Sequence, residues 1–273
     1  MIRVFPSRNK WTPDDALAFV GDPPLFRPPD QPVKISCTFT WDIPESERLY
    51  RAWSDYYSDV ELGGPAFGDP GGEFTPGMFL KEGVTITSRG CPKSCDWCLV
   101  PCREYGIREL EVKPGNIIQD NNILACSDKH LIKVFNMLRD QDKPIYFNGG
   151  LDPEFLTVVH IELLKSIKIG ELWFACDYPG AIETLKKIKP LLEPWKPRKK
   201  RCYVLIGYDG DTIKKASMRL EQVYNLGFWP FAPLYQPDKG YTKNPIIYSK
   251  EWKSLSRTWS RPAVFKEHMK GQY

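Results

Sequence analysis

The sequence predicts an α/β protein whose central sheet is parallel. Two observations carry this. From residue 83 onward, short β-like runs alternate with amphipathic helical stretches, and each parallel neighbour in such an alternation needs a crossover of helical length. The chain, at 273 residues, is also long enough for one medium α/β domain with an appendage. Six strands in this pattern make either a partial barrel or an open sheet. In both, functional groups are expected just beyond the C-terminal strand ends.

The chain divides into an N-terminal arm and cap over 1–80, a repeating β/α region over 81–240 and a basic, aromatic C-terminal tail over 241–273. Residues 1–34 read as an irregular arm, because "GDPPLFRPPDQP" (21–32) is too proline-rich for a helix or a central strand. "VKISCTFTW" (33–41) predicts a strand, "ESERLYRAWSDYYS" (45–58) a helix and "DVELGG" (59–64) a second strand, together one β-α-β unit. A glycine- and proline-marked loop, "GGPAFGDPGGEFTPG" (63–77), follows. It is read as a linker or as a surface close to a cofactor.

Candidate strands then fall at 84–88, 116–120, 144–149, 171–176, 202–207 and 230–235. Candidate helices fall at 128–140, 152–166, 180–193 and 211–227. Suggestive residues cluster after these strands: Asp120, Asn121 and Asn122 after the second, Asn148, Gly149, Gly150 and Asp152 at the third, Asp177 after the fourth, Tyr208 and Asp209 after the fifth. Any one of them could cap a helix or form a turn. Their common position on one rim is the stronger signal.

Composition excludes little. Thirty-eight basic against 34 acidic residues leave a net charge of +4, which demands no nucleic acid. The beginning of the chain has no apolar leader core, and no window approaches the length of a membrane span, so a cytoplasmic protein with no membrane partner is expected. In a reducing compartment, closely spaced cysteines point to a metal or to catalysis rather than to disulfides.

Four of the eight cysteines lie in "TITSRGCPKSCDWCLVPCREYG" (85–106): Cys91, Cys95, Cys98 and Cys102. The other four, Cys37, Cys126, Cys176 and Cys202, sit singly among apolar residues and read as small buried hydrophobes. Gly90 and Pro92 make the cluster a loop, so its thiols can turn inward. All four could close a tetrahedral zinc site, although zinc knuckles usually pair C-x-x-C units across a longer insert. Three thiolates holding three irons of a cubane, with the fourth iron open to substrate, fit the spacing better.

"CPKSCDWC", C-x3-C-x2-C with Trp97 before the third cysteine, resembles the signature of the radical S-adenosylmethionine (SAM) superfamily. "CLVPCREYGIRE" is similar to the segment that follows the cysteines in methylthiotransferases and cobalamin-type members. The resemblance covers roughly residues 80–240 and implies a partial (β/α)6 TIM-like barrel with a small N-terminal β-α-β extension. It further implies that Cys91, Cys95 and Cys98 ligate a 4Fe-4S cluster, that SAM chelates the open iron, and that an external one-electron donor drives cleavage to a 5′-deoxyadenosyl radical. Trp97, Asp120, Asn121, Asn122, Gly149, Asp152, Asp177, Gly207 and Tyr208 would then face the cofactor. "QDNNIL" (119–124) stands where the superfamily often carries a glycine-glycine-glutamate element, and "VLIGYDGDT" (204–212) resembles the strand passing near the adenine. Cys102 lies outside the three-cysteine motif.

The unit at 33–64 is similar to the end of a cobalamin-binding domain. It is too short for the whole, and it lacks a D-x-H-x-x-G element, so a cap without cobalamin is expected. "KPRKKR" (196–201) and residues 248–270 interleave basic and aromatic residues, as nucleic-acid surfaces do, or else form a solvated loop and tail. The rival to a radical SAM enzyme is therefore a non-catalytic zinc or iron-sulfur module that binds nucleic acid.

Overall fold

The computed structural model describes residues 1–178, 180–237 and 246–270. Its first sheet belongs to the N-terminal unit: β1 (Ile2–Phe5), β2 (Ala18–Val20), β3 (Val33–Ser36) and, after α1 (Ile43–Ser54), β4 (Val60–Gly63). All four strands are parallel, in the order β2-β1-β3-β4. The expectation of an irregular arm over 1–34 is thus corrected. "IRVF" is only four residues long, too short for a periodicity signal, yet all four residues are buried as a central strand. The proline-rich stretch 21–32 is the connection between β2 and β3. Ile2, Val4, Val33 and Ile35 pack with Leu49 and Trp53 of α1 into a core of their own.

The second sheet has six strands: β5 (Val84–Thr85), β8 (Ile117–Ile118), β9 (Ile145–Leu151), β10 (Ile169–Ala175), β11 (Lys200–Tyr203) and β12 (Trp229–Phe231). Between β5 and β8 the chain makes an antiparallel hairpin, β6 (Ser88–Cys91) and β7 (Gly106–Glu109), with the short helix α2 (Val100–Arg103) inside it. Every pairing in the six-stranded sheet is parallel, and its strands lie side by side in chain order. The crossovers carry α3 (Asp128–Arg139), α4 (Val158–Lys165), α5 (Ala181–Ile188) and α6 (Ile213–Asn225). Leu131, Phe135, Leu164, Leu185 and Leu220 from these helices share one core with Ile118, Phe147, Leu172, Phe174 and Cys202 of the sheet.

The differences from the expected elements have local causes. The strand expected over 84–88 breaks after Thr85, and Ser88–Cys91 leaves the sheet to form the hairpin. The helix expected from Asp152 begins only at Val158, because Asp152 accepts from the Glu154 N–H and Thr157 caps the helix. The helix expected to reach residue 193 stops at Ile188 and tightens into a 3₁₀ turn at Lys189–Leu192, with Pro190 in its first turn.

The tail is also corrected over its described part. It forms α7 (Lys250–Ser260) and α8 (Pro262–Lys270), whose Trp259, Phe265 and Met269 enter the main core. Residues 241–245 and 271–273 of that expectation lie outside the described residues. The second half of the basic run is likewise structural: Lys200 and Arg201 are buried, Lys199 donates to the Ile169 carbonyl at 2.7 Å, and Arg201 stacks on Trp173 at 4.7 Å, whereas Lys196 and Arg198 stay exposed. Among the described residues, no helix is long and apolar enough to cross a membrane.

Trp259 is 1% exposed and stacks on Phe265 at 6.0 Å. Trp259→Ala should therefore cost about 3–5 kcal/mol in urea unfolding. A change within ~0.5 kcal/mol would contradict a docked C-terminal helix pair.

Candidate functional site at the cysteine loop

The cysteine loop is fastened at its root by Asp120, which follows β8. Its Oδ1 accepts from the Thr87 N–H at 2.7 Å, and its Oδ2 accepts from the hydroxyls of Thr87 at 2.6 Å and Ser88 at 2.7 Å. Burial pushes this carboxyl up, while the Thr87 and Ser88 donors pull it back. Both oxygens are thereby committed to the corner between β5 and β6. Next to it, Asn121 Oδ1 accepts from the Gly90 N–H at 3.0 Å. Gly90 has φ +86, and a Cβ there would lie 1.8 Å from the Gly106 carbonyl oxygen across the hairpin. Only glycine permits this closure. Gly149 plays a similar part in β9, where a Cβ would lie 2.0 Å from the Asp120 carbonyl oxygen, so it serves close strand packing.

The hairpin carries Cys91 at the end of β6, and Cys95 and Cys98 follow in the loop beyond it. Cys95 is pushed up by burial and then by the charges of Cys98 and Cys91, against Lys93. Cys98 is pushed up by burial and by Cys91, against the Val100 N–H and Arg103. All three thiols are half-buried. Cys102 is exposed and is not among the principal charges on either. Cys37, Cys126, Cys176 and Cys202 are buried and free.

Among the described residues, no three His, Cys, Asp or Glu side chains are grouped to hold a metal ion. A closed zinc site would require four sulfurs at about 2.3 Å from one ion. A cubane takes one thiolate per iron, so its ligands stand farther apart. Beside the cysteines lies an orphaned oxygen. Asn122, 2% exposed, directs its Nδ2 toward Cys91 Sγ at 3.3 Å and Asp152 Oδ2 at 3.4 Å. Its Oδ1 is buried and has no hydrogen-bond partner. Flipping the amide would turn that oxygen against the Asp152 carboxylate, so the orphan acceptor is built in.

The rim is joined by a residue that the sequence reading missed. Lys93, between Cys91 and Cys95, pairs with Asp152 and Glu154, each at 2.9 Å. Those two carboxylates hold its ammonium pKa above the usual lysine range. Glu154 accepts in turn from the Tyr178 hydroxyl, and this bond raises the Tyr178 phenol to about 12. Lys93 thus ties the cysteine loop to the loops after β9 and β10. No local sequence signal marks it, because both carboxylate partners come from the distant loop after β9.

Trp97, Tyr178 and Tyr208 wall a cleft of about 530 Å³, which Asp177, Leu205, Asp211 and Arg219 also line. Trp97 meets Tyr208 edge-on at 5.6 Å, and Tyr208 meets Tyr235 at 4.8 Å. Gly207 does not line the cleft; its N–H donates to Asp211 Oδ2, and its carbonyl accepts from the Tyr248 hydroxyl. Asp177 Oδ1 accepts from the Leu205 N–H at 2.9 Å. Burial pushes its carboxyl up to about 6, with that N–H and Arg219 acting against the shift. His130 and His160 are buried helix residues, the latter in the cap with Thr157.

The glycine-proline loop lies on the hairpin: Arg108 donates to the carbonyls of Pro70 and Gly71, and the Glu111 N–H donates to Glu73. No known family model matches the chain, and no curated protein is similar enough to count as a relative.

The raised Asp177 pKa means that its ionised form is less favourable in the fold than in the unfolded chain. Stability should therefore fall as pH rises from about 4 through about 6. Urea midpoints of metal-free wild type and Asp177→Asn should diverge over that window, with the wild type losing more. Parallel pH profiles would refute the shift.

Proposed function

We propose that this chain is a radical SAM enzyme, built as a partial (β/α)6 TIM-like barrel with a small N-terminal β-α-β extension and working in the cytoplasm, where thiols stay reduced. The observation that supports it is the placement of the half-buried Cys91, Cys95 and Cys98 on a hairpin loop at the C-terminal edge of a parallel sheet, with the orphaned Asn122 oxygen beside Cys91 and Cys102 exposed. Strands in chain order with their helices in one shared core favour the winding of a barrel segment over a doubly wound sheet.

On this reading Cys91, Cys95 and Cys98 hold a 4Fe-4S cluster with one iron left open. Together with SAM and an electron from an external donor, the cluster supplies a 5′-deoxyadenosyl radical that takes hydrogen from a substrate. The chain binds, orients and excludes water. Asn122 Oδ1 is the free acceptor for the SAM ammonium group, and Asp152 keeps it turned that way. Trp97 and Tyr208, edge-on to each other, give the cleft the aromatic surface that an adenine ring would pack against. Asp177, half-protonated near pH 6, offers a donor or an acceptor to ring nitrogens. Asp120 and Gly149 act one step back, by fixing the cysteine loop and the β8–β9 approach.

Anaerobic reconstitution with iron and sulfide should give about four irons per chain. The electron paramagnetic resonance signal of the reduced cluster should change when SAM is added. Cys91→Ala, Cys95→Ala and Cys98→Ala should each lose the cluster, and Cys102→Ala should keep it. Stoichiometric zinc in place of iron, or loss of metal in all four variants, would overturn the proposal.

A further inference from the structure

The hairpin that carries the cysteine loop also carries an unresolved electrostatic conflict. Arg89 in β6 lies directly opposite Arg108 in β7. Like charges in that position destabilise a strand pair. Arg103 adds a third guanidinium, and the charges of Arg103 and Arg108 both act on Arg89. Two carboxylates, Glu104 and Asp69, answer the three cations. Arg108 is satisfied by Glu104 and by the carbonyls of Pro70 and Gly71. Arg89 and Arg103 are not: among the described residues neither guanidinium donates a hydrogen bond, and the Nε of each is buried without a partner. Buried unpaired donors are costly, and two of them beside each other's charge more so.

We propose that Arg89 and Arg103 form a binding site for a phosphate group, beside the cysteine loop and under the glycine-proline loop 63–77, with Arg108 holding that loop over it. A guanidinium fork matches two oxygens, so a carboxylate satisfies one fork, whereas a phosphate has enough oxygens for two. Its double charge also exceeds the single positive charge left after Glu104 and Asp69 are counted, so the conflict across the hairpin is removed. The cover is close-fitting: a Cβ on Gly71 would lie 2.9 Å from Arg89 Nη2, so the loop backbone itself rests on the guanidinium. The placement is two residues from Cys91, which puts the phosphate on the edge of the candidate site.

The test is titration calorimetry with inorganic phosphate at constant ionic strength, on metal-free and on iron-reconstituted protein. Saturable binding is expected in both preparations, so a failure to form a cluster and a failure of this site are separately visible. Arg89→Gln and Arg103→Gln should each weaken binding tenfold or more, whereas Arg198→Gln, at an exposed position, should not. If Arg89→Gln melts at reduced temperature, the better-tolerated Arg103→Gln carries the comparison. Glycerol 3-phosphate distinguishes the source. Tighter binding than inorganic phosphate makes the ligand a phosphate ester, and weaker binding makes it free phosphate. Absence of saturable phosphate binding in both preparations, or affinity unchanged in both arginine variants, overturns the proposal.

Discussion

The site depends on one buried carboxyl. Asp120 is 1% exposed and takes three hydrogen bonds from the two residues that turn the chain out of β5 and into the hairpin. Without it, one N–H and two hydroxyls would be left unpartnered in the interior, at about 1–3 kcal/mol each. The corner would have no reason to leave the sheet where it does. The position of Cys91, and through Gly90 and Asn121 the closure of the loop, follows from that interaction.

A loop of thiols also has to be held from its outer side. Lys93 does this by reaching across to Asp152 and Glu154, and Glu154 passes the contact to Tyr178 on the next loop. The ends of β6, β9 and β10 are thereby one polar lattice, with Trp97 and the tyrosines packed against it. Asn122 sits inside that lattice with one oxygen unanswered. A well-satisfied rim with a single open acceptor beside three thiols is what a ligand carrying an ammonium group would complete.

The parallel alternation after residue 83 was legible because each amphipathic helix spans enough turns to show its period. The N-terminal strands were not, since "IRVF" and "AFV" are too short for a pattern and the prolines that follow dominate the reading. "KPRKKR" misleads in the opposite direction. Its charges look solvated, yet Lys200 and Arg201 lie in β11 and spend their charge on a carbonyl and on Trp173. The cysteines announced themselves by spacing. Asp120 and Gly149 were legible as rim residues but not as supports, because that distinction depends on which neighbour the chain folds against them. Lys93 has no signature at all until Asp152 and Glu154 are brought beside it.

The central claim is that three of these thiols present an open iron to SAM. Its most direct measurement is product analysis after the reconstituted, chemically reduced protein is incubated with SAM under argon. The account predicts 5′-deoxyadenosine and methionine in equal amounts, and neither product from Cys91→Ala. Intact SAM after incubation with protein carrying a full complement of reduced cluster would contradict it.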